Sequence, residues 1–175
     1  IMKAQWRASQ TAPQYCCRIG LASSALAKAN LSTLVEANSI VKEMRKTSKD
    51  GLLLLHSFHG ENLGWQDVIF LHFGDAARNN RIDGGDTGGY LTGIATPRIL
   101  SGREAQMSVV DYRSWKLDRP ARGSNGSEAQ SLYECEDKGW KARLFWALLY
   151  GKRLLRANAN ELAASVESLL ITDSR

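Results

Sequence analysis

Residues 68–77 read Val-Ile-Phe-Leu-His-Phe-Gly-Asp-Ala-Ala. The run Val68–Phe73 is apolar and rich in β-formers, and it ends at Gly74-Asp75, which predicts a strand closing on a turn. A polar loop with Asn79, Asn80, Asp83, Gly84 and Gly85 follows, and Gly89–Ala95 reads as the return strand. Met107–Tyr112 is a third strand after a turn-rich stretch with Pro97 and Gly102, so the centre of the chain predicts an antiparallel meander. Downstream, a long helical pattern runs from Ser127 to Tyr150, with Leu132, Tyr133, Trp140, Leu144 and Leu148 among its apolar positions and Gly139 interrupting it. A short helix over Asn160–Val166 and a strand over Leu169–Thr172 complete the order.

Upstream, a helix is expected from Leu31 to Lys49. Thr33 and Glu36 have capping-box spacing, and Leu34, Ala37, Val41 and Met44 fall on one face. Lys42, Arg45, Lys46 and Lys49 crowd its far end, where the helix dipole favours cations, and Asp50-Gly51 stops it. Leu52–Phe58 reads as a further strand before the Gly60–Gly64 turn, whereas residues 1–29 are weakly patterned and carry Pro13. The fold class is α/β.

The 175 residues are room for one domain, and a hydrophobic fraction of 43% with 23% charged residues excludes collagen-like and wholly disordered chains. No apolar run approaches the ~20 residues that a membrane span needs. Three cysteines, two of them adjacent (Cys16, Cys17), make neither a disulfide framework nor a zinc motif and favour an intracellular setting. The net charge of +5 is unevenly spread, because residues 97–156 carry 12 Lys/Arg against 7 Asp/Glu. Such a basic segment suits a phosphate backbone, or simply a solvated face.

Three carboxylates share a logic of position. Asp75 ends the first meander strand, Glu128 opens the long helix and Asp173 ends the last strand, at separations of 53 and 45 residues. If the two strands are neighbours and the helix start packs beside them, the three converge, and their hard oxygens suit Mg²⁺ or Mn²⁺ and two-metal phosphodiester hydrolysis. Each has another reading: Asp75 with Asn79 and Asn80 as turn chemistry, Glu128 as a cap partner of Asn125, Asp173 as a solvated carboxylate. Pattern alone does not choose. Asp83-Gly-Gly-Asp86 lacks the ligand alternation of a calcium loop and reads as a hairpin turn, and no Gly-Lys-Ser/Thr follows the glycines to make a phosphate loop.

Phe73-Gly-Asp75-Ala76, Gly88-Gly-Tyr90, Arg113-Ser-Trp-Lys116 with Arg119, the Ser-rich Ala121-Arg-Gly-Ser-Asn-Gly-Ser-Glu128-Ala129, and Thr172-Asp173-Ser174 occur in that order. As a set they resemble the ribonuclease H domain of copia-type retrotransposon polyproteins, over about residues 65–175. The resemblance implies a ribonuclease H-like fold, a mixed five-stranded sheet flanked by helices. It also implies hydrolysis of the RNA strand of RNA–DNA hybrids, with Asp75, Glu128 and Asp173 as metal-holding catalytic residues. Lys116, Arg119 and Arg122 would lie along the hybrid backbone. Residues 1–64 are similar to the segment, with one helix, that connects this domain to a reverse transcriptase, which would be its partner in cis in a polyprotein. The family's fifth strand, last helix and fourth carboxylate would follow Asp173, so the domain is expected to be incomplete at its C-terminus. The alternative is a catalytically inactive, co-opted copy acting as an accessory subunit among the protein subunits of a larger assembly.

Overall fold

Four consecutive residues, Ile69 to Leu71 together with His72, are almost wholly buried, which is the signature of a central strand covered on both faces. A computed structural model of the chain describes residues 2–48, 64, 67–119, 121–149 and 158–173. The expected strand over Leu52–Phe58 and most of the turn after it lie outside the described residues.

The meander is present. β1 (Ile69–Ala77) pairs antiparallel with β2 (Thr87–Ala95), from Ile69 opposite Ala95 to Ala77 opposite Thr87. The connection between them, residues 78–86, holds the positive-φ residues Asn79 and Gly84, which the turn requires. β3 (Met107–Lys116) pairs antiparallel with β2. β4 (Ser168–Ile171) lies on the other side of β1 and runs parallel to it, with Phe73 opposite Ile171. The sheet is therefore mixed and open, in the order β3-β2-β1-β4.

Three α-helices precede the sheet, α1 (Met2–Thr11), α2 (Cys16–Ser24) and α3 (Leu31–Lys46), where the sequence predicts one. Pro13 does interrupt the first helix, and it starts a 3₁₀ turn that leads into α2. The helix cap of α3 also differs from expectation. Asn30 is the N-cap, its Oδ1 accepting from the Thr33 amide at 3.0 Å, and Thr33 is its reciprocal partner in place of Glu36. Glu36 instead binds Arg18 of α2 at 2.9 Å. Ile40 and Met44 pack against Ala8, Ala12, Tyr15, Ile19 and Ala22 in a small core of their own, while Leu34 stays exposed. The Arg7 guanidinium closes this unit by donating to the carbonyls of Met44 and Thr47 at the end of α3.

The long helix α4 (Ser124–Leu149) and the short α5 (Ala159–Ala164) follow β3. α4 covers the sheet face bearing Val68, Phe70 and Ile94, where Ala142, Trp146 and Val166 also pack. The opposite face carries Ile69, Leu71, Phe73, Ala95, Ile99, Met107 and Ile171. The N-terminal helices meet the β3 side of the sheet, where the Tyr112 hydroxyl donates to the Ala8 carbonyl at 2.9 Å. Among the described residues no helix is long and apolar enough to cross a membrane.

Candidate functional site

Strand direction decides where the predicted residues meet. β1 and β3 end at one edge of the sheet, β4 is parallel to β1 and ends there too, and α4 starts there after the connection from β3. Asp75 and Asp173 each lie two residues beyond the registered pair Phe73–Ile171. Both are exposed, and both line one cleft of about 530 Å³. Phe73, Leu91 and Ile171 belong to its sheet side, and Pro13, Cys16 and Cys17 of the N-terminal unit form another wall.

The Asp75 region is held firmly. Its Oδ1 accepts from the Ala76 amide at 2.7 Å. The Ser131 hydroxyl of α4 sits 2.6 Å from the Asp75 carbonyl and 3.0 Å from that of Gly89, bolting the helix to the end of the β1–β2 pair. One turn earlier, the Ser127 hydroxyl donates to Asp86, whose other oxygen accepts from the Asn79 amide at 2.8 Å. Those two bonds, Ser127's first, hold the Asp86 carboxyl below the usual carboxylate range and fasten the β1–β2 loop to the start of α4.

Glu128 is half-buried in the second turn of α4, and its Oε2 is buried with no hydrogen-bond partner. It does not line the cleft that Asp75 and Asp173 share. The structure thus brings two of the three predicted carboxylates into one cleft, with the third on the helix bolted to the same strand end. Among the described residues no three His, Cys, Asp or Glu side chains form a metal-holding group. The cleft itself offers two carboxylates, a donor set of the kind that holds Mg²⁺ together with water and substrate phosphates, while the unpartnered Glu128 Oε2 lies outside it.

The three predicted basic residues lie at the same end of the sheet, and all are exposed. Lys116 ends β3 and pairs with Asp83 at 2.8 Å, which holds the Asp83 carboxyl below its ordinary range. Arg119 and Arg122 lie in the β3–α4 connection, and Arg78 donates to the Arg122 carbonyl at 3.2 Å, adding a fourth cation that the sequence reading did not single out. Arg113, Cys17 and Ser131 were also missed. Arg113 and Cys17 line the acidic cleft by virtue of tertiary packing alone. Ser131 had a signal, its place in a four-residue repeat with Ser127, Cys135 and Gly139.

No protein-family model, curated protein or solved structure matches this chain.

Proposed function

We propose that this chain is a ribonuclease H-like domain of retroelement origin that hydrolyses the RNA strand of RNA–DNA hybrids. One observation carries the reading. Two aspartates end neighbouring parallel strands, each two residues past the same registered pair, at the edge of the sheet where the basic β3–α4 connection also lies. That juxtaposition suits a substrate whose backbone is anionic and whose cleavage develops further negative charge.

In this reading Asp75 and Asp173 would hold Mg²⁺ or Mn²⁺, with Glu128 as the third donor; when bound, such ions supply Lewis acidity and acidify a water molecule. The chain's own contribution is positional. Ser131 fixes the backbone that carries Asp75, and the Ser127–Asp86–Asn79 link fixes the loop beyond it. Lys116, Arg119 and Arg122 contact backbone phosphates, which sets the register of the hybrid without reading its sequence. The 2′-hydroxyl and the helical shape mark the RNA strand.

A second reading is favoured by the position of Glu128 outside the cleft that Asp75 and Asp173 line. It is a domain of the same class without catalysis, serving as an accessory subunit of a larger assembly. Cleavage of a labelled RNA–DNA hybrid in Mg²⁺ or Mn²⁺ separates the two. The catalytic reading expects cutting by the parent chain and a loss of about 100-fold or more in both Asp75→Asn and Glu128→Gln. A folded parent that does not cut transfers the assignment to the accessory subunit.

A further inference from the structure

A second cleft, of about 350 Å³, lies where α1 and α2 meet the outer edge of β3, and its charge is opposite to that of the first. Arg81, Arg113 and Lys116 line it together with Gln5, Ser9 and Ser23, and no aspartate or glutamate does. The Arg81 side chain is only 10% exposed, yet its one ion pair among the described residues is from Nε to Asp83 at 3.2 Å. A guanidinium presents five donors in a rigid fork, so the Nε bond to Asp83 leaves its terminal nitrogens available to a second acceptor. Asp83 is shared, since it also binds Lys116. Arg81 and Lys116 thus share one carboxylate, and Arg113 adds a third positive charge to the lining. Arg113 makes no ion pair among the described residues, and its guanidinium stands 5.8 Å from the centroid of the Trp115 ring, which stiffens it. Ser23 supplies an independent sign: its Oγ is buried and has no hydrogen-bond partner. A buried hydroxyl without a partner costs stability that a bound acceptor would recover.

We propose that this cleft is a phosphate-binding site. Arg81 and Arg113 supply the planar forks, Lys116 a point charge and Ser23 a neutral donor, the combination that suits a tetrahedral oxyanion with several acceptor oxygens. The phosphate comes either from a nucleic-acid backbone or from a free phosphate-bearing molecule, and the chemistry of recognition is shared. The site shares Lys116 with the proposed hybrid-contacting residues and Arg113 with the first cleft, but none of its four named residues is a proposed metal ligand.

The test is calorimetric titration of the whole chain with inorganic phosphate, and separately with an RNA–DNA hybrid at several salt concentrations. Arg113→Gln is expected to weaken phosphate binding about tenfold or more, and Ser23→Ala several-fold, for the loss of one charge-assisted and one neutral hydrogen bond. Arg113 is exposed, so its replacement leaves folding intact, which circular dichroism verifies. Glu128→Gln, at a carboxylate that lines neither cleft, is expected to leave phosphate affinity unchanged, so failure of the nuclease reading and failure of the site are separable. Hybrid binding that weakens in Arg113→Gln, with a salt slope lower by about one, identifies the ligand as a backbone phosphate. Hybrid binding that stays constant while phosphate binding weakens identifies a free phosphate compound. Phosphate affinity equal in the parent, Arg113→Gln and Ser23→Ala, or no binding by the folded parent at millimolar phosphate, overturns the proposal.

Discussion

The N-terminal helices and α4 solve the same packing problem in opposite ways. The N-terminal unit buries apolar side chains against one another, with Ile19, Ile40, Met44 and Tyr15 filling the space and alanines between them. α4 turns small residues to the sheet: Ser127, Ser131, Cys135 and Gly139 recur every four residues and are all buried. Of its large apolar side chains Trp146 packs on Phe70, while Tyr133, Phe145 and Leu149 are exposed. The first contact is driven by apolar area removed from water. The second is driven by proximity, since small side chains let the helix backbone come down onto β1 and spend hydroxyls on strand carbonyls. The closer contact also fixes the end of β1, through the Ser131 hydroxyl on the Asp75 and Gly89 carbonyls.

If closeness is what matters at α4, the largest effect belongs at Gly139. A Cβ there would stand 2.6 to 2.8 Å from three atoms of the His72 ring, in the buried middle of β1. The ring is wholly buried, so making room displaces it against its neighbours. Gly139→Val is therefore expected to cost about 3 kcal/mol or more, whereas an overpacked alanine position in the N-terminal core, Ala22→Val, should cost less. Chemical denaturation of both variants measures the difference, and equal losses would remove the distinction between the two contacts.

The next effect is one of pH. His72 is buried, its Nδ1 lies 3.1 Å from the Thr92 hydroxyl, and its Nε2 has no partner. Burial, and secondarily the charge of Arg143, lowers its pKa to about 4. The unfolded chain, with an ordinary value near 6.5, binds a proton that the native protein refuses between these limits. Stability is thus unaffected by this group above pH 6.5 and falls as pH drops from 6.5 to about 4, by roughly 2–3 kcal/mol. The described N-terminal unit has no histidine. A His72→Gln variant, measured by urea denaturation at pH 7 and pH 4.5, should lose most of that slope; a slope unchanged from the parent would show that the acid sensitivity arises elsewhere.

What was legible in the sequence tracks the same difference. The continuous apolar run Val68–Phe73 and the turn at Asp83-Gly84 announced the meander, because a strand buried on both faces has no other pattern and the hairpin needs a left-handed residue. The position of α4 was legible from its length, but its buried face was not. Gly139, which interrupts the apolar pattern, is the point of closest approach, and hydrophobic periodicity is blind to a stripe of serines, cysteine and glycine. At the candidate site, the strand-end aspartates were found because chain position alone sets them at an edge. That Asp75 and Asp173 share a cleft while Glu128 keeps to the helix follows from sheet register, which only the pairing of β1 with β4 supplies. Arg81, Arg113 and Ser23 come together from three separate segments, and no local spacing records that.

The smallest expected effect is the most pointed. Read by period, Tyr133 belongs to the core of α4, yet it is 75% exposed, and Phe145, three turns on, is 64% exposed. Neither reaches the sheet. Because large apolar side chains already in water lose little when replaced, Tyr133→Ser and Phe145→Ser should each change stability by no more than about 0.5 kcal/mol. Ser131→Val, a similar-sized change on the facing stripe, removes the hydroxyl shared by the Asp75 and Gly89 carbonyls and should cost about 1–2 kcal/mol. The inversion, in which a serine outweighs a phenylalanine, is what a helix seated by closeness requires, and denaturant midpoints for the three variants measure it directly. A larger loss at Phe145 than at Ser131 would mean that another surface covers the outer face of α4, and that its large side chains, not its small ones, seat the helix.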